Sequence, residues 1–208
     1  AANYKVSVTV TSQGCVASLV RDFTVNGANP IAAFEVQKPT GLCSNDSVRI
    51  KNKSTVDFGN VTRLEIFWDA NDLTKKTVDE DPFPNKIYGY RYPDFQTPAS
   101  KNYTIKLVAY SGNAASCSSP VSQTITVNAS PKVSFVTMAG ICNEASSRQI
   151  TQAKFDPQVP GSFTYTGNGV SSTGLFNAQT AGVGTFAIKY LYTSTKNCMD
   201  SASRNITV

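Results

Sequence analysis

The stretch YTIKLVAYS (residues 103–111) alternates apolar with polar residues over most of its length. Tyr103, Ile105 and Leu107 fall on one face of an extended chain, and the polar residues between them fall on the other. Alternation with a period of two, among β-branched and aromatic residues, is typical of a half-buried strand. The stretch therefore predicts a β-strand with one face in a core.

The same pattern is written twice more, in YKVSVTVTS (4–12) and FAIKYLYTS (186–194). Each copy is followed by a short polar turn and then by a cysteine: Cys15, Cys117 or Cys198. Apolar residues follow each of these cysteines at offsets of eight and ten. Each segment therefore predicts a strand, a turn and a closing strand, which together form a β-hairpin.

A second repeat follows the first two hairpins. The segments NGANPIAAFEV (26–36) and NASPKVSFVT (128–137) each place a proline four residues before a phenylalanine. Each segment then leads to a further cysteine, Cys43 or Cys142. We interpret the two segments as a short linker and the first strand of a new domain.

The closing cysteines recur at intervals of 102 and 81 residues, which is the size of an immunoglobulin-like sandwich. No segment has the pattern of a helix. The predicted fold class is all-β, with tandem immunoglobulin-like β-sandwiches. Residues 1–27 are expected to be the C-terminal hairpin of a truncated sandwich, and residues 28–128 and 129–208 two whole domains.

Composition excludes several function classes. The chain has no histidine, which removes Ser-His-Asp and Cys-His nucleophile systems and the commonest zinc ligand. The net charge of +5 is modest and spread along the chain, unlike the clustered charge of nucleic-acid binders. No apolar run approaches 18 residues, so no direct membrane insertion is expected. The sequence predicts no catalytic residues, no cofactor, no metal and no nucleic-acid partner.

The five cysteines lie far apart and form no C-x-x-C motif, so they are predicted to form disulfides in an oxidising compartment. The preferred pairing closes each domain on itself, Cys43 to Cys117 and Cys142 to Cys198. Cys15 then stays unpaired within the chain. In an immunoglobulin-type sandwich, however, Cys43 and Cys117 lie at opposite ends of a strand, roughly 17–20 Å apart. The alternative is a bond between Cys43 and Cys198 that joins the two domains.

The domain 28–128 resembles a PKD (polycystic kidney disease) domain. That family pairs a WDFGDG-type motif with a late Y-x-V-x-L-x-V strand, and the matching stretches here are FWDANDL (67–73) and YTIKLVAY (103–110). Trp68 and Asp69 match the first motif, whereas Ala and Asn replace its Phe-Gly. The resemblance implies a PKD-like sandwich. Trp68 is predicted to be a buried core residue and not a ligand platform.

The domain 129–208 resembles the immunoglobulin-like repeats that accompany PKD domains in large bacterial surface proteins. The matching stretches are TGNGV (166–170), GLFNAQTAGVGTFAIKYLYT (174–193) and NCMDSASRNITV (197–208). Such domains occur in long adhesins, in gliding-motility proteins exported by type IX secretion, and as spacers in secreted hydrolases. This is the context that the resemblance implies.

Two stretches are candidate ligand sites. The acidic loop DANDLTKKTVDEDP (69–82) lacks the spacing of an EF-hand calcium loop and is interrupted by lysines, so it is interpreted as solvated. Tyr88, Tyr90 and Tyr92 recur with a period of two. If exposed, such a row could stack on sugar rings. If buried, it is ordinary sheet packing, and the PKD resemblance favours burial.

Two further serines are candidate modification sites. Ser47 in DSV (46–48) and Ser201 in DSA (200–202) match the Asp-Ser/Thr-apolar acceptors of surface O-glycosylation that the same resemblance implies.

The expected function is structural: a non-catalytic spacer segment of an extracellular, cell-surface bacterial adhesin or filament protein. Its expected partners are adjacent domains of a longer chain, copies of itself in a filament, and surface glycans or other cells. The alternative is a carbohydrate-binding or accessory module of a secreted hydrolase.

Overall fold

The computed structural model describes residues 2–25, 28–112 and 117–208. Within these ranges the chain forms sixteen strands and one four-residue helix, α1 (Ala178–Ala181), so the predicted all-β class is confirmed. The strands are β1 (Ala2–Ser12), β2 (Cys15–Val25), β3 (Phe34–Gln37), β4 (Val48–Asn52), β5 (Val61–Phe67), β6 (Lys76–Asp79), β7 (Ile87–Tyr90), β8 (Ser100–Ser111), β9 (Ser118–Asn128), β10 (Val133–Phe135), β11 (Arg148–Gln149), β12 (Ala153–Phe155), β13 (Gly161–Thr166), β14 (Leu175–Phe176), β15 (Thr185–Ser194) and β16 (Met199–Thr207).

Tertiary contacts divide the chain into two compact units that interleave along the sequence. The first comprises the described parts of Ala1–Gln37, Arg49–Tyr90 and Tyr103–Ile125. The second comprises Lys38–Val48, Arg91–Asn102 and Thr126–Val208. The two units are defined by tertiary contacts, whereas the sequence repeat predicts the domain boundaries 1–27, 28–128 and 129–208. Those boundaries stay a prediction.

The first unit is built on two sheets, in which the pairs β3–β4, β5–β6 and β5–β8 are antiparallel. One has the strand order β6-β5-β8-β9 and the other β3-β4-β7. The alternation in β8 has the predicted consequence, since Ile105, Leu107 and Ala109 are fully buried. The single tryptophan, Trp68, is fully buried as well, which confirms its predicted place in the core. In the other sheet, Val48 and Ile50 of β4 are also buried, so both sheets bury side chains of one face, as in a β-sandwich.

The second unit has a three-stranded sheet of order β13-β15-β16 and two smaller pairs, β10-β12 and β11-β14. In β15 the alternation buries Ile188, Tyr190 and Tyr192, each at most 2% exposed. The helix α1 begins where the side chain of Asn177 accepts a hydrogen bond from the Thr180 backbone N–H (2.9 Å). The core of the unit consists of Phe135, Met138, Ile150, Tyr165, Phe176, Ala178, Ala181, Ile188, Tyr190, Tyr192 and Ile206.

Strands β1 and β2 form the hairpin that the first repeat predicts. Their register runs from Ala2 opposite Val25 to Ser12 opposite Cys15. Gln13 and Gly14 make the turn with φ angles of 46° and 83°, the left-handed conformation that a two-residue hairpin loop of this kind requires. Every side chain described in this hairpin is exposed.

Candidate functional site

A disulfide joins Cys43 to Cys198 across a sequence separation of 155 residues, with the two Cα atoms 5.6 Å apart. Both cysteines belong to the second compact unit. The bond therefore fixes the segment Lys38–Val48 to the start of β16 in the same unit.

Cys43 is positioned by the last residue of β9. The Asn128 backbone N–H donates to the Leu42 carbonyl (2.8 Å), and the Ser44 backbone N–H donates to the Asn128 carbonyl (2.9 Å). Cys43 and Asn128 form an isolated parallel bridge. These bonds hold Cys43 beside the C-terminal end of β9.

Cys198 is positioned by the turn that follows β15. The Ser194 backbone N–H donates to the Cys198 carbonyl (2.8 Å), and the Cys198 backbone N–H donates to the Ser194 hydroxyl oxygen (3.0 Å). Asn197 has a φ of 62°, which makes the turn tight. Cys198 is fully buried, so its sulfur is shielded from water.

A buried polar network stands beside the disulfide. Ser44 and Ser130 are each 1% exposed, and the Ser130 backbone N–H donates to the Ser44 hydroxyl oxygen (3.2 Å). The Ser44 hydroxyl donates to the Phe95 carbonyl (3.2 Å). The Ser130 hydroxyl donates to Asn45 Oδ1 (2.9 Å), and Asn45 Nδ2 donates to the Met199 carbonyl (2.8 Å). The network thus adds hydrogen bonds between the segment that carries Cys43 and Met199, the first residue of β16, which directly follows Cys198.

This bond corrects the preferred pairing. A cysteine forms one disulfide, so the bond between Cys43 and Cys198 excludes both Cys43–Cys117 and Cys142–Cys198. The physical reason is strand length. Cys43 lies at the Asn128 end of β9, whereas Cys117 precedes its first residue. The eleven residues of β9 span roughly 35 Å at about 3.3 Å each, and a disulfide needs Cα atoms within about 7 Å.

The same geometry separates the second predicted pair. The Ile141 backbone N–H donates to the Thr207 carbonyl (2.9 Å), so Cys142 lies near the end of β16. Cys198 precedes the first residue of that strand. Cys142 and Cys15 carry exposed free thiols. The alternative pairing named from the sequence, Cys43 with Cys198, is the one that the structure contains.

The side chains of Tyr88, Tyr90 and Tyr92 are buried or half-buried rather than exposed to solvent. Tyr88 and Tyr92 are 8% and 2% exposed. The Tyr88 hydroxyl donates to Asp79 Oδ2 (2.5 Å), and burial together with this bond raises the pKa of Tyr88. Half-buried Tyr90 stacks on the Trp68 ring with centroids 5.3 Å apart. The burial favoured from the sequence is therefore confirmed for Tyr88 and Tyr92, and sugar stacking on this row has no exposed face from these two rings.

Carboxylates of the acidic loop accept hydrogen bonds from nearby backbone N–H groups and so stabilise its turns. Asp69 accepts a hydrogen bond from the Asn71 backbone N–H, and Asp79 accepts one from the Asp81 backbone N–H. The Thr74 side chain and backbone, together with Lys75, lower the pKa of Asp72 to about 2. Throughout residues 2–25, 28–112 and 117–208, no three His, Cys, Asp or Glu side chains gather into a metal site.

The two Asp-Ser dipeptides share a local geometry. The Ser47 backbone N–H donates to Asp46 Oδ1 (2.7 Å), and the Ser201 backbone N–H donates to Asp200 Oδ1 (2.9 Å). Ser47 is half-buried and Ser201 is exposed. Their O-glycosylation stays a prediction.

One feature that sequence reasoning missed is an aromatic groove in the second unit. Phe155 and Phe163 are 40% and 47% exposed along it, and buried Tyr165 and Tyr190 form part of its wall. The Phe163 and Tyr190 rings lie 5.6 Å apart. The groove also carries Lys154, so it combines exposed rings with a cation. The alternation of Phe163 and Tyr165 along β13 could have indicated an aromatic strand, but not which ring stays exposed.

No helix within the described ranges has the length and apolar character needed to cross a membrane. No protein-family model matches the chain, and no curated protein matches it. Solved structures of extracellular β-domains are similar to it at low TM-scores. They include a protocadherin gammaB7 EC3-6 cis-dimer (TM-score 0.31, 12% identity, 99% of this chain, 58% of that chain) and the Clostridium thermocellum CbhA fibronectin(III)-like modules (0.35, 14%, 85%, 94%). Mouse cadherin-23 EC22-24 is a third (0.29, 13%, 99%, 74%). The chain thus spans 58% of the protocadherin it matches, and TM-scores this low carry no argument about function.

Proposed function

We propose that this chain is a non-catalytic structural spacer of an extracellular bacterial surface adhesin or filament protein, of the PKD and immunoglobulin-like type found in gliding-motility and type IX secreted adhesins. The observation that supports it is the disulfide between Cys43 and Cys198 in an all-β chain of repeated hairpins. Disulfides persist in oxidising compartments, so the cell surface or the exterior is the proposed location.

The proposed mechanism is mechanical. A force applied to the two ends of the chain passes through the disulfide, since Cys43 and Cys198 are covalently joined. The residues between them are then outside the load-bearing path. A spacer built in this way extends little under tension even when its sheets open.

The proposed partners follow from the repeat. Adjacent domains of a longer chain are the first, copies of this chain in a filament are the second, and surface glycans or other cells are the target of the whole assembly. Residues 28–128 and 129–208 are proposed as the domains that repeat along such a spacer.

Single-molecule pulling tests this proposal. The chain is held between marker domains, and its unfolding extension is measured with and without reductant. With the bond intact, extension is limited to the residues outside the 43–198 loop. Reduction should release the 155-residue separation, about 55 nm at about 3.6 Å per residue. A Cys142→Ser chain is the matched control and should keep the oxidised extension. Equal extension in both redox states would reject the mechanical role.

The aromatic groove favours the second candidate, a carbohydrate-binding module of a secreted hydrolase. Exposed rings of Phe155 and Phe163 could stack on sugar faces, and Lys154 could donate to hydroxyls. Binding of soluble cellulose and chitin oligosaccharides, measured calorimetrically with the parent chain and Phe163→Ala, tests it. A matched change at Phe58, which is 78% exposed outside the groove, is the control.

A further inference from the structure

The hairpin β1–β2 has one apolar face that the other described residues of the chain leave open. Tyr4, Val6, Val8 and Val10 lie on this face and are 48–62% exposed. Their cross-strand partners include Phe23 and Leu19, which are 46% and 56% exposed. The opposite face is mainly polar, since Lys5 pairs with Asp22 (3.8 Å) and the Thr24 hydroxyl donates to Asn3 Oδ1 (2.7 Å), and it carries two exposed valines, Val16 and Val20. The hairpin is thus amphipathic and uncovered on its apolar side.

The hairpin β15–β16 of the second unit has the same strand register as β1–β2, and its equivalent face is buried. Val6 opposite Arg21 corresponds to Ile188 opposite Arg204. Likewise, Tyr4 opposite Phe23 corresponds to Phe186 opposite Ile206. In both hairpins the arginine follows the cysteine by six residues. The two hairpins are therefore equivalent residue by residue.

Exposure separates these equivalent positions. Val8 is 54% exposed, whereas its counterpart Tyr190 is 2% exposed and Leu107, at the same place in β8, is fully buried. Val10 is 62% exposed and its counterpart Tyr192 is 2% exposed. The open face has the pattern of an inner sandwich face without its facing layer.

The free thiol of Cys15 is a second, independent observation that indicates a partner sandwich. It stands opposite Ser12 at the end of the hairpin, as Cys198 stands beside Ser194. Cys198 is fully buried and bonded to a cysteine that follows the first strand of a repeat, whereas Cys15 is exposed and free. The hairpin β1–β2 therefore lacks two partners that β15–β16 has. Its apolar face lacks a facing sheet layer, and its cysteine lacks a second cysteine to bond.

We propose that the hairpin β1–β2 is the closing hairpin of a further sandwich, docking its Tyr4–Val10 face onto the sheet layer of a repeat of this class and bonding Cys15 to a cysteine at the Cys43 position of that partner. The inference rests on the proposed function, because it names the adjacent-domain partner. A second copy of the chain does not supply the layer, since its own β8 and β15 faces are already buried.

The covalent step needs an oxidant, for which an oxidised thiol–disulfide oxidoreductase serves. The Cys15 thiol and the partner thiol lose two electrons and two protons in total and form one S–S bond. The disulfide of the oxidoreductase accepts both electrons and both protons and becomes a dithiol.

A hairpin transplant within the full chain tests the docking face. Residues 185–207 are replaced by the sequence of residues 3–24, and the cysteine bonded to Cys43 is identified by non-reducing peptide mapping. We expect the transplanted Cys15 to bond Cys43 as completely as Cys198 does in the parent. A second transplant keeps Tyr190 and Tyr192 in place of Val8 and Val10, because two valines fill less volume.

A matched control transplant exchanges Val6, Val8 and Val10 with the residues that follow each of them, which turns the apolar side outward. It should form no bond to Cys43. The proposal is overturned if neither transplant forms the bond, or if the control forms it equally well. It is also overturned if the unaltered chain forms a dimer through its own hairpin, linked Cys15 to Cys15. None of these outcomes depends on the pulling experiment, so the two proposals fail separately.

Discussion

The hydroxyl oxygen of Ser194 accepts a hydrogen bond from the backbone N–H of Cys198 (3.0 Å), and both residues are buried. The same hydroxyl oxygen accepts a second bond from the Lys196 backbone N–H (3.3 Å). One serine side chain therefore satisfies two donors of the turn that carries the disulfide. In the first unit, Ser111 takes the equivalent place, and its backbone N–H donates to the Cys117 carbonyl (3.0 Å).

Replacing Ser194 by Ala is expected to lower the free energy of unfolding by about 1–3 kcal/mol, because the buried Cys198 N–H loses its side-chain acceptor. Urea unfolding followed by tyrosine fluorescence or circular dichroism measures the change. Ser203→Ala, at an exposed position of the same hairpin, is the control and should alter stability by less than about 0.5 kcal/mol. Equal effects of the two changes would show that the turn does not need the hydroxyl.

Trp68→Ala should cost about 3–5 kcal/mol, since the fully buried ring leaves a cavity beneath Tyr90 and frees the Thr77 hydroxyl from the indole N–H (2.9 Å). Denaturant unfolding followed by circular dichroism gives the number. Phe58→Ala, at a residue that is 78% exposed, should cost little. Because Trp68 is the chain's single tryptophan, quenching by iodide in the native protein provides a second check, and free quenching would contradict its burial.

Removing the disulfide is expected to destabilise the second unit most. The chain-entropy relation gives about 5 kcal/mol for a loop of 155 residues. The double change Cys43→Ser with Cys198→Ser, and reductant added to the parent chain, should give the same loss in thermal unfolding. Cys142→Ser, at an exposed thiol, should leave the melting temperature unchanged. A parent chain that melts alike with and without reductant would mean that the bond does not form in solution.

The strands and the core could be predicted from the sequence, because alternation specifies which side chains share a face. The burial of Ile105 and Leu107 follows from that rule. The pairing of Cys43 could not be chosen, because alternation does not say which strand ends meet. That depends on the bonds of Leu42 and Ser44 to Asn128, which join residues 84 to 86 positions apart.

The exposure of individual aromatic side chains could not be predicted from the sequence, for a similar reason. Tyr88 and Phe163 both lie on short strands with alternating aromatic residues, yet the first is buried and the second is about half exposed. What distinguishes them is the element that covers each one, and this is set by contacts between distant parts of the chain. The polar network of Ser44, Asn45 and Ser130 has the same origin, since its members look like ordinary loop residues in the sequence.

Asp79 is expected to make stability fall in acid. Burial of the side chain raises its pKa, but the bonds from Lys86, Tyr88 and the Asp81 backbone N–H outweigh burial, so the net pKa lies below its ordinary value of 3.8. A carboxyl with a lowered pKa stabilises the fold above the unfolded value, and this stabilisation is lost as the pH falls through the folded value. Lys86 Nζ lies 2.7 Å from Asp79 Oδ2, and the Asp79 side chain is only 13% exposed.

Asp79→Asn should therefore lower the free energy of unfolding at pH 7 by about 1–3 kcal/mol, because the bonds from Lys86 and Tyr88 lose their charged acceptor. The difference between the parent and the variant should shrink as the pH is lowered from 5 to below about 3.8, since protonation removes the same charge from the parent. Urea unfolding at a series of pH values measures it. Asp57→Asn, at an exposed position, is the control and should alter the free energy of unfolding at pH 7 by less than about 0.5 kcal/mol. If the Asp79 difference stays constant down to pH 3, its carboxylate does not stabilise the fold through these bonds.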